Sequence, residues 1–324
     1  MLAARSPDED QGTEREVNGT DSQRGHLPAV AFNRLICSPP MDDARPKTVQ
    51  IFLPDGNAQS LRVAEITSRT VQAVQIPRQK LDAAERRDEV HRVGVYFLFG
   101  EVGDDASKPP AYIGEAENCL QRVAGHHRRK DFWTTAVTIT SKTRSFTKAH
   151  ARRLEYDCTR TAQKAQRFRL QNTQTPAEPH IPEAMLAELR DNFGTIETLL
   201  SMLGFPILNP LPTEKDTGSG QPKLYCQGNG AKAKGEYTED GLVVFEGSAA
   251  RLETTPSAPE AIEQRRKNLR ADGVLQRQDD RLVFRENHAF NSPSAASGVV
   301  LGRSSNGWSE WTDDAGRTLD QLER

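Results

Sequence analysis

The sequence predicts an α+β protein built from more than one domain, and three observations carry that reading. Short β-rich runs and amphipathic helical stretches are interspersed over residues 46–208. A second set of strands and helices occupies residues 231–324. Between them lies NPLPTEKDTGSGQPK (209–223), rich in Pro, Gly and Thr and without apolar rhythm. A chain of 324 residues with 35% hydrophobic content is long enough for about two cores.

Residues 1–45 are polar and lack periodicity, which predicts a disordered tail unable to bury enough apolar area to offset its ordering entropy. In KTVQIFLPDGNAQSLRVAEI two β-rich runs flank the turn signal Pro54-Asp55-Gly56-Asn57. TVQAVQIP and the helical KLDAAERRDEV complete a small β-rich module over 46–91. GVYFLFG (94–100) and AYIG (111–114) read as strands joined by the loop EVGDDASKPP. Residues 116–127 read as a helix, and WTTAVTITS (133–141) as a third strand from its alternating Val137 and Ile139. A long helix follows, capped near Ser145 or Thr147, with Ala151, Leu154, Cys158, Ala162 and Ala165 as its apolar stripe. A second helix places Leu186, Leu189, Phe193, Ile196, Leu200 and Leu203 on one face and stops at Gly204.

After a linker set at 209–230, GLVVFEGS and RLVFREN read as strands. PEAIEQRRKNLRADG reads as a helix closed by Gly273, and NSPSAASGVVLG as one begun by Ser292 and Pro293, giving a separate C-terminal α+β domain. GNGAKAKG near position 228 lacks the spacing of a phosphate-binding loop and is assigned to a loop; Trp308 and Trp311 are assigned to packing.

The net charge of −2 conceals a strong local asymmetry. From Cys119 to Leu170 there are thirteen Lys or Arg against three Asp or Glu, the footprint of a polyanion binder, with a solvated charged helix face as the alternative. Cys37, Cys119, Cys158 and Cys226 show no CxxC spacing, which argues against a zinc site or a disulfide framework and for a reducing, cytoplasmic setting. With no secretory h-region and no run of eighteen apolar residues, the expectation is a soluble protein without a membrane partner.

Four residues apart on the helix after AYIG, Arg122 and His126 share one face, followed by the basic Arg128, Arg129 and Lys130. Strand alternation puts Tyr96 on the opposite side from Val95 and Phe97, so it is expected on the displayed face. Glu155 is one of the few acids in the basic block, either an ion-pair partner of Arg152 or Arg153 or a cation ligand.

Together Gly94-Val95-Tyr96, Tyr112-Ile113-Gly114, Arg122, Glu155 and Asn172 resemble the GIY-YIG nuclease family, over residues 92–175. The C-terminal FNSPSAASGVVLGRSSNGWSEW looks like a poorly understood domain that often accompanies such modules. Val95 departs from the first motif, Glu115 stands where a small hydroxyl residue is common, and the two tyrosines are sixteen positions apart, a long hairpin.

The resemblance implies a small three-stranded antiparallel sheet flanked by helices, within a nuclease domain at 92–208. It further implies a DNA endonuclease, with RNA left open as substrate, using one Mg²⁺ held by Glu155. Tyr96 would activate or orient the water, with Tyr112 and His126 as helpers or alternative bases; Arg122 would hold phosphate oxygens, and Asn172 would orient a neighbour. Arg128, Arg129, Lys130, Lys148 and Arg152 would bind nucleic acid. Whether two copies pair as a homodimer for double-strand cleavage is left open, and target selection is the role expected of the C-terminal domain apart from the resemblance. The alternative is a catalytically weak or inactive nucleic-acid-binding protein.

Overall fold

A computed structural model describes residues 46–102, 107–215 and 221–324, so the tail expected over 1–45 lies outside the described residues. The fold is α+β, with two open sheets.

The first sheet takes β1 (Val49–Phe52), β2 (Arg62–Ile66), β3 (Val71–Pro77), β4 (Gly94–Phe99), β5 (Pro110–Ala116), β6 (Thr135–Ser141) and β7 (Arg169–Leu170) in the order β1-β2-β3-β6-β4-β5-β7. This corrects the expected three-stranded sheet and its separate N-terminal module. β3 pairs with β6 along seven residues, from Val71↔Ser141 to Pro77↔Thr135, so the N-terminal strands extend the sheet that carries the two motifs. Within KLDAAERRDEV only Leu81–Ala84 (α1) is α-helical, flanked by single 3-10 turns.

Both faces of the sheet's central strands are buried, while the edge strand β1 is mostly exposed. On one, Val95, Phe97, Phe99, Ile113 and Ile139 pack against α3 (Lys148–Ala165) and α4 (Glu183–Met202), whose apolar stripes lie at the expected positions. On the other, Tyr96, Leu98, Val74, Ile76 and Ala136 form a second core with Leu120 and Val123 of α2 (Cys119–His127) and with Trp133. Six consecutive buried residues in β4 are the consequence. Tyr96 is therefore enclosed, 1% exposed, and not on a displayed face, because α2 covers the side that alternation left open.

The second sheet comprises β8 (Leu224–Gly228), β9 (Ala231–Thr238), β10 (Gly241–Val244), β11 (Ala249–Arg251), β12 (Leu275–Gln278), β13 (Arg281–Phe284) and β14 (His288–Phe290), ordered β12-β13-β11-β9-β10-β14 with β8 on β9. It packs against α5 (Glu260–Ala271), α6 (Pro293–Leu301), α7 (Gly307–Glu310) and α8 (Leu319–Glu323) around Leu269, Phe284, Val299 and Trp311. Ser292 caps α6 through the Ala295 N–H at 3.1 Å, with Pro293 at its first turn, as the sequence predicts.

The linker expected over 209–230 is narrower. Leu211 is buried against Val243 and Phe245, and β8 begins at Leu224. GNGAKAKG is also not a loop: Asn229 (φ 44°) and Gly230 (φ 85°) make a two-residue hairpin turn and AKAKG is strand. No helix among the described residues is long and apolar enough to cross a membrane.

Candidate active site

The β4–β5 ladder aligns Tyr96 with Gly114 and Leu98 with Tyr112, so both tyrosines project from the same face, two residues apart. Their rings stack with centroids 6.1 Å apart. The glycines of the two motifs have steric reasons. A Cβ at Gly114 would lie 2.3 Å from Tyr96 Oη, and one at Gly94 would lie 2.0 Å from the Ile139 carbonyl oxygen of the neighbouring strand.

Helix α2 closes over the tyrosines. Asn118 caps it, its side chain accepting from the Gln121 N–H at 3.0 Å. His126 Nε2 is 2.9 Å from Tyr96 Oη, and its ring centroid is 5.2 Å from that of Tyr112. The Arg122 guanidinium lies close enough to Tyr96 to act on its phenol. Three predicted residues thus converge on one phenol oxygen from two elements, Tyr96 and His126 being thirty positions apart.

Burial sets the protonation states. It pushes the Tyr96 phenol well above the ordinary tyrosine range, with Tyr112 adding to the shift and Arg122 only partly opposing it. It also pushes His126 down to about 4, helped by the cations of Arg122, Lys130 and Arg129. At neutral pH the phenol keeps its proton and the imidazole is uncharged. His126 Nδ1 is buried without a hydrogen-bond partner.

Outside the phenols, Glu115, Glu117, Asn118, Arg122, His126, Arg129 and Lys148 line an open pocket of about 520 Å³. Glu155 on α3 is raised above the usual carboxylate range, first by burial and then by the Glu115 carboxylate. It forms no ion pair among the described residues. The two arginines expected to compete for it are engaged elsewhere: Arg153 holds Asp157 at 2.7 Å and Glu178 at 2.9 Å, and Arg152 is 3.9 Å from Glu115.

Among the described residues no three His, Cys, Asp or Glu gather as a metal cage. Two adjacent carboxylates, one half-buried and destabilised by the other's charge, suit a hard cation that takes few protein ligands and keeps its waters.

Asn172 stands apart. Its side-chain carbonyl accepts from the Ile113 N–H at 3.1 Å and its amide donates to the Ile113 carbonyl at 2.7 Å, so it pairs with β5 as a further strand would. Both of its side-chain hydrogen bonds go to backbone and neither to another residue of the cluster.

The basic block divides. Lys142, Arg144, Arg153, Arg167 and Arg169 pair with Glu65, Asp88, Asp157, Asp240 and Asp272, which narrows the expected polyanion footprint. Arg129 and Lys148 remain at the pocket, Lys148 with Glu117 at 2.8 Å; Lys130 lies 4.6 Å over the Tyr112 ring; Arg128 is exposed at the end of α2. His127 is held by Arg78 Nε at 3.1 Å. Sequence reasoning missed Glu115, Gln121 and Gly125 as pocket residues. Positions 118, 121, 122, 125, 126 and 129 recur at the i, i+3, i+4, i+7 spacing of one helix face, a polar stripe that could have identified Gln121 and Gly125.

The C-terminal sheet has a relative among known families. Residues 224–323 are similar to a domain of unknown function, DUF4357. The match takes in β8, outside the boundary at 231, and ends within α8. No curated protein and no solved structure matches the chain. DUF4357 therefore describes the second sheet and its helices, and says nothing about the tyrosine cluster.

Proposed function

We propose that the chain is a metal-dependent DNA endonuclease of the GIY-YIG kind, hydrolysing phosphodiester bonds at the tyrosine cluster. One observation supports the reading: Tyr96, Tyr112, Arg122 and His126, from two strands and a helix, gather at one buried phenol ring beside an open pocket lined by cations and Glu115.

Phosphodiester hydrolysis needs an activated water, neutralisation of charge on the phosphoryl oxygens and support for the leaving oxygen. Arg122, whose fork of donors never deprotonates, suits the phosphoryl oxygens, and Arg129 and Lys148 suit the flanking phosphates. Since the buried phenol does not ionise at neutral pH, Tyr96 orients the water and relays its proton: the phenol oxygen takes a proton as its own passes to neutral His126 Nε2. Tyr112 stacks on Tyr96 and fixes the ring. Glu155, with Glu115 beside it, would hold one Mg²⁺, which when bound supplies positive charge to the scissile phosphate. Asn172 keeps β5 in register.

Purified protein incubated with plasmid and Mg²⁺ tests the reading. Nicking or linearisation that disappears in Glu155→Ala while DNA binding persists is the expected result. Tight binding without cleavage by the unaltered protein would instead establish a binding protein, the reading that the enclosure of Tyr96 favours.

A further inference from the structure

The two strands that carry the tyrosines are joined by a long connection, whose closure costs more entropy than that of a tight turn. Near its end, Ser107 and Lys108 are fastened to the DUF4357-like segment. Asp272, at the C-terminal end of α5, accepts through Oδ2 from the Ser107 backbone N–H at 2.9 Å and from the Ser107 hydroxyl at 2.6 Å. Its Oδ1 faces Arg169 Nη1 of β7 at 3.8 Å. Beside it the Lys108 ammonium pairs with the Glu286 carboxylate, their side chains 12% and 24% exposed. One carboxylate thus holds the lead-in to β5 and the neighbouring strand β7, and a second ion pair holds the next residue.

Local helix physics argues against an acid at this place. The C-terminal end of a helix carries partial negative charge and favours cations. Asp272 is compensated by partners from the other sheet, not by its own helix.

Resting on the reading of β4 and β5 as the strands of a nuclease site, we infer that the DUF4357-like segment acts as a clamp on the catalytic hairpin, with Asp272 and Glu286 as positioning residues. Ser107 and Lys108 lie a few residues ahead of Tyr112, so holding them holds the register that sets Tyr112 beside Tyr96 and Gly114 beneath it. A displacement of about 1 Å at a reacting group costs on the order of a hundredfold in rate, enough for a distant clamp to govern turnover.

Amide hydrogen exchange on the full chain, read at residues 97–99 and 111–113, tests this together with single-turnover cleavage and DNA affinity at fixed salt. Asp272→Ala should speed exchange there by about tenfold and slow cleavage by a similar factor, with affinity within about twofold. If that variant does not fold, the exchange pair Lys108→Glu and Glu286→Lys decides. Each alone should loosen the hairpin, and the double variant should restore protection. A folded Asp272→Ala with unchanged exchange, or one that loses affinity alone, overturns the clamp; the latter would point to target selection. Should the unaltered protein prove unable to cleave, the nuclease reading falls while the exchange data still decide the clamp.

Discussion

Tyr96 lies over Gly114, its antiparallel partner in the neighbouring strand, so closely that a methyl group on Gly114 would stand 2.3 Å from the phenol oxygen. The ring occupies the space a side chain would take. Gly114→Ala should therefore displace the Tyr96 hydroxyl from His126 and lower single-turnover cleavage by on the order of a hundredfold. Gly125→Ala is the control, since nothing lies within 4 Å of its added carbon. On an α-helix it should raise stability by about 0.5–1 kcal/mol, read as a higher melting temperature.

On the proposed nuclease reading, Arg122 is asked to do what a lysine cannot. Arg122→Lys keeps the charge and loses the planar fork shared between the phenol and the pocket. Cleavage by this variant should fall by at least about tenfold, with DNA affinity nearly unchanged. Equal rates for the two proteins would remove Arg122 from phosphate recognition.

The divided basic block predicts two kinds of arginine and lysine variant. Lys148→Ala, at the pocket, should lower the slope of log affinity against log salt by about one and leave the melting temperature almost unchanged. Arg153→Ala should do the reverse. Its side chain is 4% exposed and that of Asp157 is 1% exposed, so removing it leaves a buried carboxylate uncompensated at a cost of roughly 3–5 kcal/mol.

Two histidines make the fold sensitive to acid. His126 is lowered to about 4 and His288 to about 3, both chiefly by burial. The unfolded chain binds these protons near the ordinary histidine value and the folded chain does not, so stability is fully present above about pH 6.5 and declines as the pH falls toward the folded values. Asp157, raised to about 6 by burial, acts in the opposite direction over part of the same window, because there the folded chain binds the extra proton. His288→Gln should flatten the decline between pH 6.5 and 4 in a series of thermal melts. A slope identical to that of the unaltered protein would show that His288 does not contribute.

Local pattern made much of the candidate site legible. The stripe Ala151, Leu154, Cys158, Ala162 and Ala165 placed α3, and the four-residue spacing of Arg122 and His126 put both on one face of α2. The state of Tyr96 was not legible, because alternation along β4 says which residues share a face and not whether a helix later covers it. The reach of the basic block was overestimated for a related reason. Acids at 65, 88, 240 and 272, distant in sequence, neutralise several of its members.

The class of fold, the order of most strands and helices, and the residue types of the candidate site follow from the chain's local chemistry, since propensity, capping and periodicity act between residues a few positions apart. Three features emerge only once the chain is folded: seven strands form one sheet around the motifs, the Tyr96 phenol is enclosed, and Asp272 bonds to Ser107 ahead of β5. Strand pairing, desolvation and ion pairing depend on which distant groups come into contact, and no local pattern in the chain specifies that partner.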